Sequence, residues 1–285
     1  MIDNPRSPRI RAVTKLHKRE ARSSTGLFLL EGPQAVAEAL AYRAELVVEL
    51  YATPTALERY TDIGQTAVDA GVDVEFVTEQ VLEAMADTVT PQGIIAVCHQ
   101  FPTSIKDILR PAGDERAPKL VAILEEVRDP GNAGTIIRAA DAAGADGVIL
   151  SGRSVDLYNP KVVRASTGSI FHMPIAVNVE LEAVLDRARA AGLHILAADI
   201  KGDDLLSARS EGVLAQPTAW LFGNEARGLT DEQLALADRV VGVPIYGLAE
   251  SMNLATAASV CLYESAFAQR FTDPPHHPTK LGSRV

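Results

Sequence analysis

KLVAILEEVRDPGNAGTIIRAADAAGADGVIL, residues 119–150, reads as a strand, a turn, a helix and a second strand. Leu120 to Leu124 is apolar without alternation, the pattern of a strand buried on both faces. Asp129-Pro130-Gly131-Asn132 is turn chemistry, and the pattern that follows predicts a helix over 135–143 stopped by Gly144. Gly147 to Leu150 is the next strand. Toward the C-terminus the pattern repeats, with strands predicted at 175–177, 194–197, 219–222 and 240–243. Helices are predicted at 181–191 and 231–237, and a long apolar helix over 254–271 closes the run. Strands separated by helix-length segments predict a parallel sheet covered on both faces.

Toward the N-terminus, residues 101–118 hold Pro102, Pro111, Gly113 and Pro118, a linker composition with room for a short helix at 105–109. Before it lies a second, smaller α/β run. Its strands are predicted at 26–30, 46–51, 72–77 and 94–98. One helix begins at Pro33 and runs to Ala41, another runs from Thr53-Pro54 to Ala70, and a short one is capped by Thr78. A chain of 285 residues suits two such units at roughly 100–200 residues each. The expected organisation is a basic arm and small α/β domain over 1–104, a linker over 105–118, the main domain over 119–271, and a Pro-rich disordered tail over 272–285. No internal repeat is present.

With 47% hydrophobic and 22% charged residues, the chain can build a packed core, so disorder is not the default. No apolar run approaches the roughly 18–20 residues of a membrane span. The first residues lack the apolar segment of a secretory signal. Two cysteines, Cys98 and Cys261, form no CxxC pair, which argues against a disulfide framework or structural zinc and fits a cytoplasmic protein. The net charge of −10 argues against nucleic acid taken whole, but it is unevenly spread: residues 1–22 carry seven basic and two acidic side chains. Arg9, Arg11, Lys15, Lys18, Arg19 and Arg22 thus form a basic arm on an acidic body. This is either a polyanion contact or a solvated, fraying terminus.

In open parallel sheets, ligands bind outside the carboxyl ends of the strands. Three loops leave strand ends here with unusual residues. The first, Glu125 to Arg138, carries Asn132 and Arg138. They are six apart, so a helix alone would not align them and the turn is expected to bring them together. The second, Phe222-Gly223-Asn224-Glu225, puts a carboxylate beside a glycine at a strand end. The third, Val243 to Leu254, places Ser251 and Asn253 before the long helix. Each also fits an ordinary role: Asn132 as a cap with Arg138 solvated, Glu225 balancing a helix dipole, Ser251 and Asn253 as N-caps. The chain has no GxGxxG after a strand, no P-loop, no HExxH, no GxSxG and no metal-ligand spacing among its histidines.

Taken in order, Asp129-Pro-Gly-Asn-Ala-Gly-Thr-Ile-Ile-Arg138, Leu221-Phe-Gly-Asn-Glu225-Ala-Arg-Gly-Leu229, and Val243-Pro-Ile245 with Glu250-Ser-Met-Asn-Leu254 resemble the three signature motifs of the SpoU (TrmH) family. These are ribose 2′-O-methyltransferases of the SPOUT superfamily. Arg164-Ala-Ser-Thr-Gly-Ser169 is similar to the stretch between the family's first and second motifs. Phe28-Leu-Leu-Glu-Gly32 and Gln92-Gly-Ile94 resemble its L30e-like substrate-binding module. The layout is similar to the ribosomal RNA methyltransferases of the thiostrepton-resistance kind.

The resemblance implies a deep trefoil knot in the C-terminal domain, a fold that the general avoidance of threaded loops would reject. It implies S-adenosylmethionine as cosubstrate, held near Ala197, Phe222, Gly223, Ile245 and Leu254, with no metal. It implies a homodimer packed through the last helix, with RNA, and 23S ribosomal RNA before other kinds, as substrate and the basic arm on its phosphates. Arg138 is then either the proton acceptor or an electrostatic anchor, and a guanidinium pKa above about 12 favours the anchor. Asn132 would hold Arg138 or the ribose, Glu225 would orient Arg138, and Ser251 and Asn253 would hold the ribose or backbone. A transfer-RNA ribose methyltransferase and an inactive RNA-binding member of the family are the alternatives.

Overall fold

The computed structural model describes residues 1–270. The tail expected from residue 272, and Phe271 at the end of the last predicted helix, lie outside the described residues. The first unit comprises α1 (Pro8–Lys15), α2 (Arg19–Thr25), β1 (Leu27–Glu31), α3 (Pro33–Arg43), β2 (Val47–Ala52), α4 (Pro54–Arg59), α5 (Thr61–Asp69), β3 (Val74–Phe76), α6 (Glu79–Met85) and β4 (Ile94–His99). A short α7 (Ile105–Ile108) leads to β5 (Leu120–Glu125), α8 (Pro130–Ala142), β6 (Gly147–Ser151), α9 (Pro160–Ser166), β7 (Ile175–Val179) and α10 (Leu181–Ala190). The chain then forms β8 (His194–Asp204), α11 (Leu205–Ser210), β9 (Thr218–Phe222), α12 (Asp231–Ala235), β10 (Arg239–Gly242) and α13 (Leu254–Gln269).

The second sheet has the order β10-β8-β9-β5-β6-β7 and every pairing in it is parallel, as the apolar strands predict. The first sheet is mixed: β4 runs antiparallel between β1 and β2, and β3 pairs parallel with β2. Boundaries moved where tertiary contacts overrode local signals. The helix expected from Thr53 to Ala70 is two, broken at Tyr60, and the strand expected over 72–77 is three residues long. Strand β8 extends well beyond 197, because β10 joins it through a register shift between Val240 and Val241.

Helix α8 begins earlier than predicted. Pro130 occupies the first turn, where its missing N–H costs nothing, and the Asp129 carboxylate accepts the Asn132 N–H at 2.8 Å. Gly134 is required by packing rather than by conformation. A Cβ there would lie 2.5 Å from both the Ala165 Cβ and the Val162 carbonyl, so only glycine lets α9 close onto α8. One of the two buried faces of the sheet is closed by α13. Trp220, fully buried on β9, stacks on Phe222 with ring centroids 6.1 Å apart and donates its Nε1–H to Ser265 Oγ on α13 at 2.9 Å. Burial of each such side chain contributes roughly 1.5–3 kcal/mol. Cys98 and Cys261 are buried free thiols whose pKa is pushed up to about 12 by burial, which leaves them unreactive.

The two units share a hydrophobic core. Phe28 of β1 meets Tyr158 at 4.8 Å, Phe101 stacks on Phe171 at 5.6 Å, and the Phe101 N–H donates to the Tyr158 hydroxyl at 2.7 Å. Polar ties surround this cluster. Glu31, the carboxylate of Phe-Leu-Leu-Glu-Gly, accepts from the N–H groups of Asp87 and Thr88, while Arg164 pairs with Asp87 at 2.8 Å. His172 bridges Glu38 of α3 at 3.1 Å and Asp141 of α8 at 2.8 Å.

The N-terminal segment corrects one expectation outright. It is not a fraying arm but two helices packed on the first sheet, with Ile10, Val13 and Leu16 in the core. Arg22 cannot grip a substrate phosphate. It is 2% exposed, with Nε and Nη2 on Asp156 at 2.9 and 2.6 Å and Nη1 on the carbonyls of Leu16 and His17. Arg9 is engaged by Glu49 at 3.1 Å and Glu75 at 2.9 Å.

Breaking one side of a buried, fully bonded ion pair leaves an uncompensated charge. Arg22→Ala is therefore expected to lower unfolding stability by about 3–5 kcal/mol in urea titrations. A drop under about 1 kcal/mol would mean that the Arg22–Asp156 pair does not secure the junction.

Candidate active site

Because the second sheet is parallel, the carboxyl ends of β8, β9, β5 and β10 lie along one edge. Ala197 pairs with Leu221 on one side and with Val240 on the other, so Ala197, Phe222-Gly223 and the loop after β10 are neighbours there. Gly223 is held by a close approach: a Cβ would lie 2.6 Å from the Gly228 carbonyl carbon and from the Leu229 nitrogen. The returning backbone fits over position 223 only without a side chain. The turn it closes carries Asn224 and Glu225, and the Gly228 N–H donates to the Asn224 carbonyl at 2.8 Å.

Glu225 faces the β5–α8 loop. Its Oε2 accepts the Arg128 N–H at 3.1 Å, and its Oε1 accepts the Asp129 N–H at 2.9 Å and Asn132 Nδ2 at 3.5 Å. The Asn132 Oδ1 in turn accepts from Asn253 Nδ2 at 3.0 Å. Asn253 is also the N-cap of α13, its Oδ1 taking the N–H groups of Ala255 and Thr256. Asn253 thus caps α13 and also ties the third loop to the first. One chain of side chains, Asn253–Asn132–Glu225, links all three loops.

A second clamp lies beside it. Glu126 adopts a left-handed backbone, φ 51°, that few non-glycine residues take. Its carbonyl accepts Asn224 Nδ2 at 2.8 Å, and its carboxylate pairs with Arg227 and, at 3.5 Å, with Arg128. Strained backbone of this kind costs about 1–3 kcal/mol and collects at functional sites.

Arg138 is placed differently from expectation. It and Asn132 both lie on α8, and six helical residues leave them about 120° apart around the axis, so the turn does not bring them together. Glu225 does not touch Arg138 either, since its oxygens are taken by backbone N–H groups. Arg138 is exposed and its Nη1 donates to Thr167 Oγ1 at 3.3 Å. Thr167, φ 50°, and Gly168 turn the chain after α9, and Gly168 packs against Glu38, where a Cβ would lie 2.5 Å from its Cγ. The Arg-Ala-Ser-Thr-Gly-Ser segment thus links the first unit to Arg138.

Ser251 is exposed in the loop between β10 and α13, with Ile245 half-buried and Leu254 half-buried at the helix start. Tyr246, Leu248 and Met252 of this loop project into solvent at 84%, 104% and 37% exposure, and among the described residues no N–H from Ile245 to Asn253 has a protein acceptor. Free backbone donors beside exposed apolar side chains are what a planar base and its sugar require. The donor set fits a nucleoside-type cosubstrate. Two clefts open at the junction of the units, and one of them is lined by Arg128.

Of the basic residues proposed for RNA, Arg11, Lys15, Lys18 and Arg19 are exposed. Sequence reasoning gave no role to Asn224, Thr167, Glu126 or Arg128. Asn224 and Thr167 stood inside the quoted motifs, whereas the clamp through Glu126 left no local signal. The described residues hold no cluster of three or more metal-ligating side chains.

Beneath the loop, Glu125 is 7% exposed. Burial raises its carboxyl pKa, and the charges of Glu126 and Glu180 raise it further, against the opposing bond from Ser151 Oγ at 2.6 Å.

The fold and this edge define an α/β protein whose three strand-end loops are hydrogen-bonded together, with an exposed arginine on the helix that follows the first of them. Residues 119–263 match the SpoU rRNA Methylase family and residues 7–96 the MRM3-like substrate binding domain. The chain belongs to the SpoU rRNA methylase family. It is 32% identical over 266 residues to the 23S rRNA (guanosine(2553)-2′-O)-methyltransferase RlmP of Bacillus subtilis, covering 92% of this chain and 97% of that protein. Its structure is similar to the AdoMet-bound rRNA methyltransferase of Sinorhizobium meliloti, with TM-score 0.78, 31% identity, and 93% and 96% of the two chains covered. It is also similar to the SpoU methyltransferase AviRb of Streptomyces viridochromogenes in complex with AdoMet, with TM-score 0.77, 29% identity, and 93% and 99% covered.

A carboxyl whose pKa is raised by folding contributes stability below the ordinary carboxylate range and loses it as pH rises through the folded value. Glu125→Gln is accordingly expected to gain stability relative to the native chain between about pH 4 and pH 7, read from urea midpoints at both. Parallel midpoints would show that Glu125 ionises without cost. In the linking chain, Asn132→Ala and Asn253→Ala are expected to couple by about 0.5–3 kcal/mol in a double-mutant cycle of unfolding stability. Simple additivity would show the hydrogen bond between them to be idle.

Proposed function

We propose that the protein transfers the methyl group of S-adenosylmethionine to a ribose 2′-hydroxyl of 23S ribosomal RNA. The observation that carries this reading is the Asn253–Asn132–Glu225 chain, which draws the three loops to one sheet edge. The relatives' names support it too, since RlmP is a 23S rRNA 2′-O-methyltransferase and the AviRb structure holds AdoMet.

The cosubstrate supplies a methyl group already activated on a sulfonium. The chain must hold that group in line with a hydroxyl oxygen, and alignment of this kind is worth roughly 7–11 kcal/mol in favourable cases. Backbone at Phe222-Gly223 and around Ile245, with Ala197 behind and Leu254 at the helix start, holds the adenosine and methionine parts. Glu225 acts by fixing the Arg128–Asp129 backbone, and Asn132 and Asn253 set the distance between the first and third loops. Ser251, exposed in the third loop, holds the ribose or backbone of the bound nucleotide. Arg138 is the catalytic arginine. A guanidinium stays charged, so Arg138 stabilises the oxygen as negative charge develops and leaves the proton to solvent at this exposed edge. Thr167 fixes its direction.

Further parts of the reading follow the family. The C-terminal segment is tucked into a trefoil knot, supported by the pairing of β10 with β8 and the packing of α13 on α8 and β9. The first unit is an L30e-like substrate module, and the domains divide at the 105–118 linker. The protein acts in the cytoplasm as a homodimer. A half-exposed stripe on α13, Val260, Tyr263 and Phe267, supports the dimer, with the last two rings 5.5 Å apart.

Incubation with labelled S-adenosylmethionine and total RNA, followed by mapping of alkali-resistant linkages, is expected to place label on a single 23S nucleotide. Label on transfer RNA, or on a base, would overturn the reading. Arg138→Ala is expected to lower kcat by about 10²–10³-fold while cosubstrate affinity, read by calorimetry, is kept. Near-normal turnover would remove Arg138 from catalysis. Phe267→Glu is expected to shift the protein from dimer to monomer in sedimentation, and an unchanged dimer would move the interface elsewhere.

A further inference from the structure

The junction of the two units holds an open cleft of about 430 Å³ lined by Arg19, Arg22, Arg128, Arg153, Asp156 and Asn159, with Ser154 and Val155 between them. Four arginines face one carboxylate in a chain of net charge −10. That carboxylate, Asp156, is already bound by two nitrogens of buried Arg22. Its charge is therefore spent, and the remaining cations set the field of the cleft. Among the described residues, exposed Arg19 and Arg153 make no hydrogen bond and no ion pair through their side chains, and Arg128 touches only Glu126, at 3.5 Å. A second cleft continues the first past Arg19 and Ser154–Asp156 toward Gln100 and Asn178, lined largely by polar groups.

Arg128 joins this surface to the site. Its backbone N–H is held by Glu225 at the cradle, while its side chain lines the cleft. Arg19 and Arg153 line one cleft without an anionic partner among the described residues, and a phosphate would supply charge-assisted hydrogen bonds to such guanidiniums.

We propose that this cleft is the track for the sugar–phosphate backbone of the substrate strand, with Arg19, Arg128 and Arg153 on successive phosphates beside the methyl-accepting nucleotide. The assignment rests on the reading of the protein as an RNA ribose methyltransferase. It adds two residues outside the N-terminal helices, Arg128 and Arg153, and drops Arg22, whose task is to neutralise Asp156 and hold α2 against the second unit. The recognised feature is the spacing of phosphates, so the cleft binds a strand and leaves base choice to other surfaces.

The test uses the full chain, a transcript of 23S ribosomal RNA, and the double variant Arg19→Ala/Arg153→Ala. Neither side chain has a protein partner among the described residues, so the fold and cosubstrate binding are retained, and both are measured alongside. Each phosphate left without its arginine reduces the slope of log affinity against log salt by about 0.7–0.9. The double variant is expected to lower that slope by about 1.5 and to bind about ten- to thirtyfold more weakly near 0.1 M salt. KM for RNA rises while kcat is retained. Arg128→Ala adds a further fall in slope, and Arg19→Lys/Arg153→Lys recovers most of the affinity. An unchanged slope and affinity in the double variant, with methylation by the native protein intact, overturns the cleft and leaves the activity standing. A native protein that binds the transcript but transfers no methyl group to it overturns the activity instead.

Discussion

Two carboxamides and a carboxylate, Asn253, Asn132 and Glu225, hold together loops that lie up to 121 residues apart in the chain. Nothing local brings them there. The parallel sheet supplies the common edge, and the hydrogen-bonded chain sets the spacing along it. Each member has its polar atoms committed: Asn253 to the first turn of α13 and to Asn132, Glu225 to two backbone N–H groups. A loop cradle made this way is preorganised. The cost of ordering is met during folding rather than when ligand arrives, which is how binding and attack geometry are obtained at low entropic cost.

The packing beneath serves the same end. Gly134 lets α9 approach α8 to backbone contact, and that approach carries Thr167 to Arg138. Gly223 lets the second loop fold back on itself, which presents Glu225. Glu126 accepts a strained backbone so that its carbonyl and carboxylate can each bind the second loop. In each case a local cost is tolerated because a nonlocal contact offsets it. The junction follows the same rule: Arg22 is buried beside Asp156 at a place where a solvated arginine would be free.

The meeting of the three loops was legible before the fold. Asn132, Glu225 and Asn253 stood in motifs at strand ends, and they do converge. Their pairings were not legible. Glu225 was expected on Arg138 and instead binds the backbone of Arg128 and Asp129. Asn132 was expected to be carried to Arg138 by a turn, yet α8 starts at Pro130 and places them on different sides of one helix. A residue's partner depends on which surfaces meet, and motif spacing carries no record of that. Arg22 illustrates the limit from the other side. Among seven basic residues in the first 22, nothing in the sequence marks the one that is buried.

By itself, the amino-acid order determined the alternation of apolar strands and helices, the parallel second sheet, and the edge on which polar loops would gather. These follow from short-range facts: apolar runs, proline at helix starts, glycine at helix ends. Only the tertiary structure decided that the N-terminal basic segment is two packed helices, that Arg138 leans on Thr167, and that the cationic cleft lies between the units rather than along an arm. Those outcomes depend on long-range packing and on which charges neutralise one another, and both are properties of surfaces that exist only once the chain has folded.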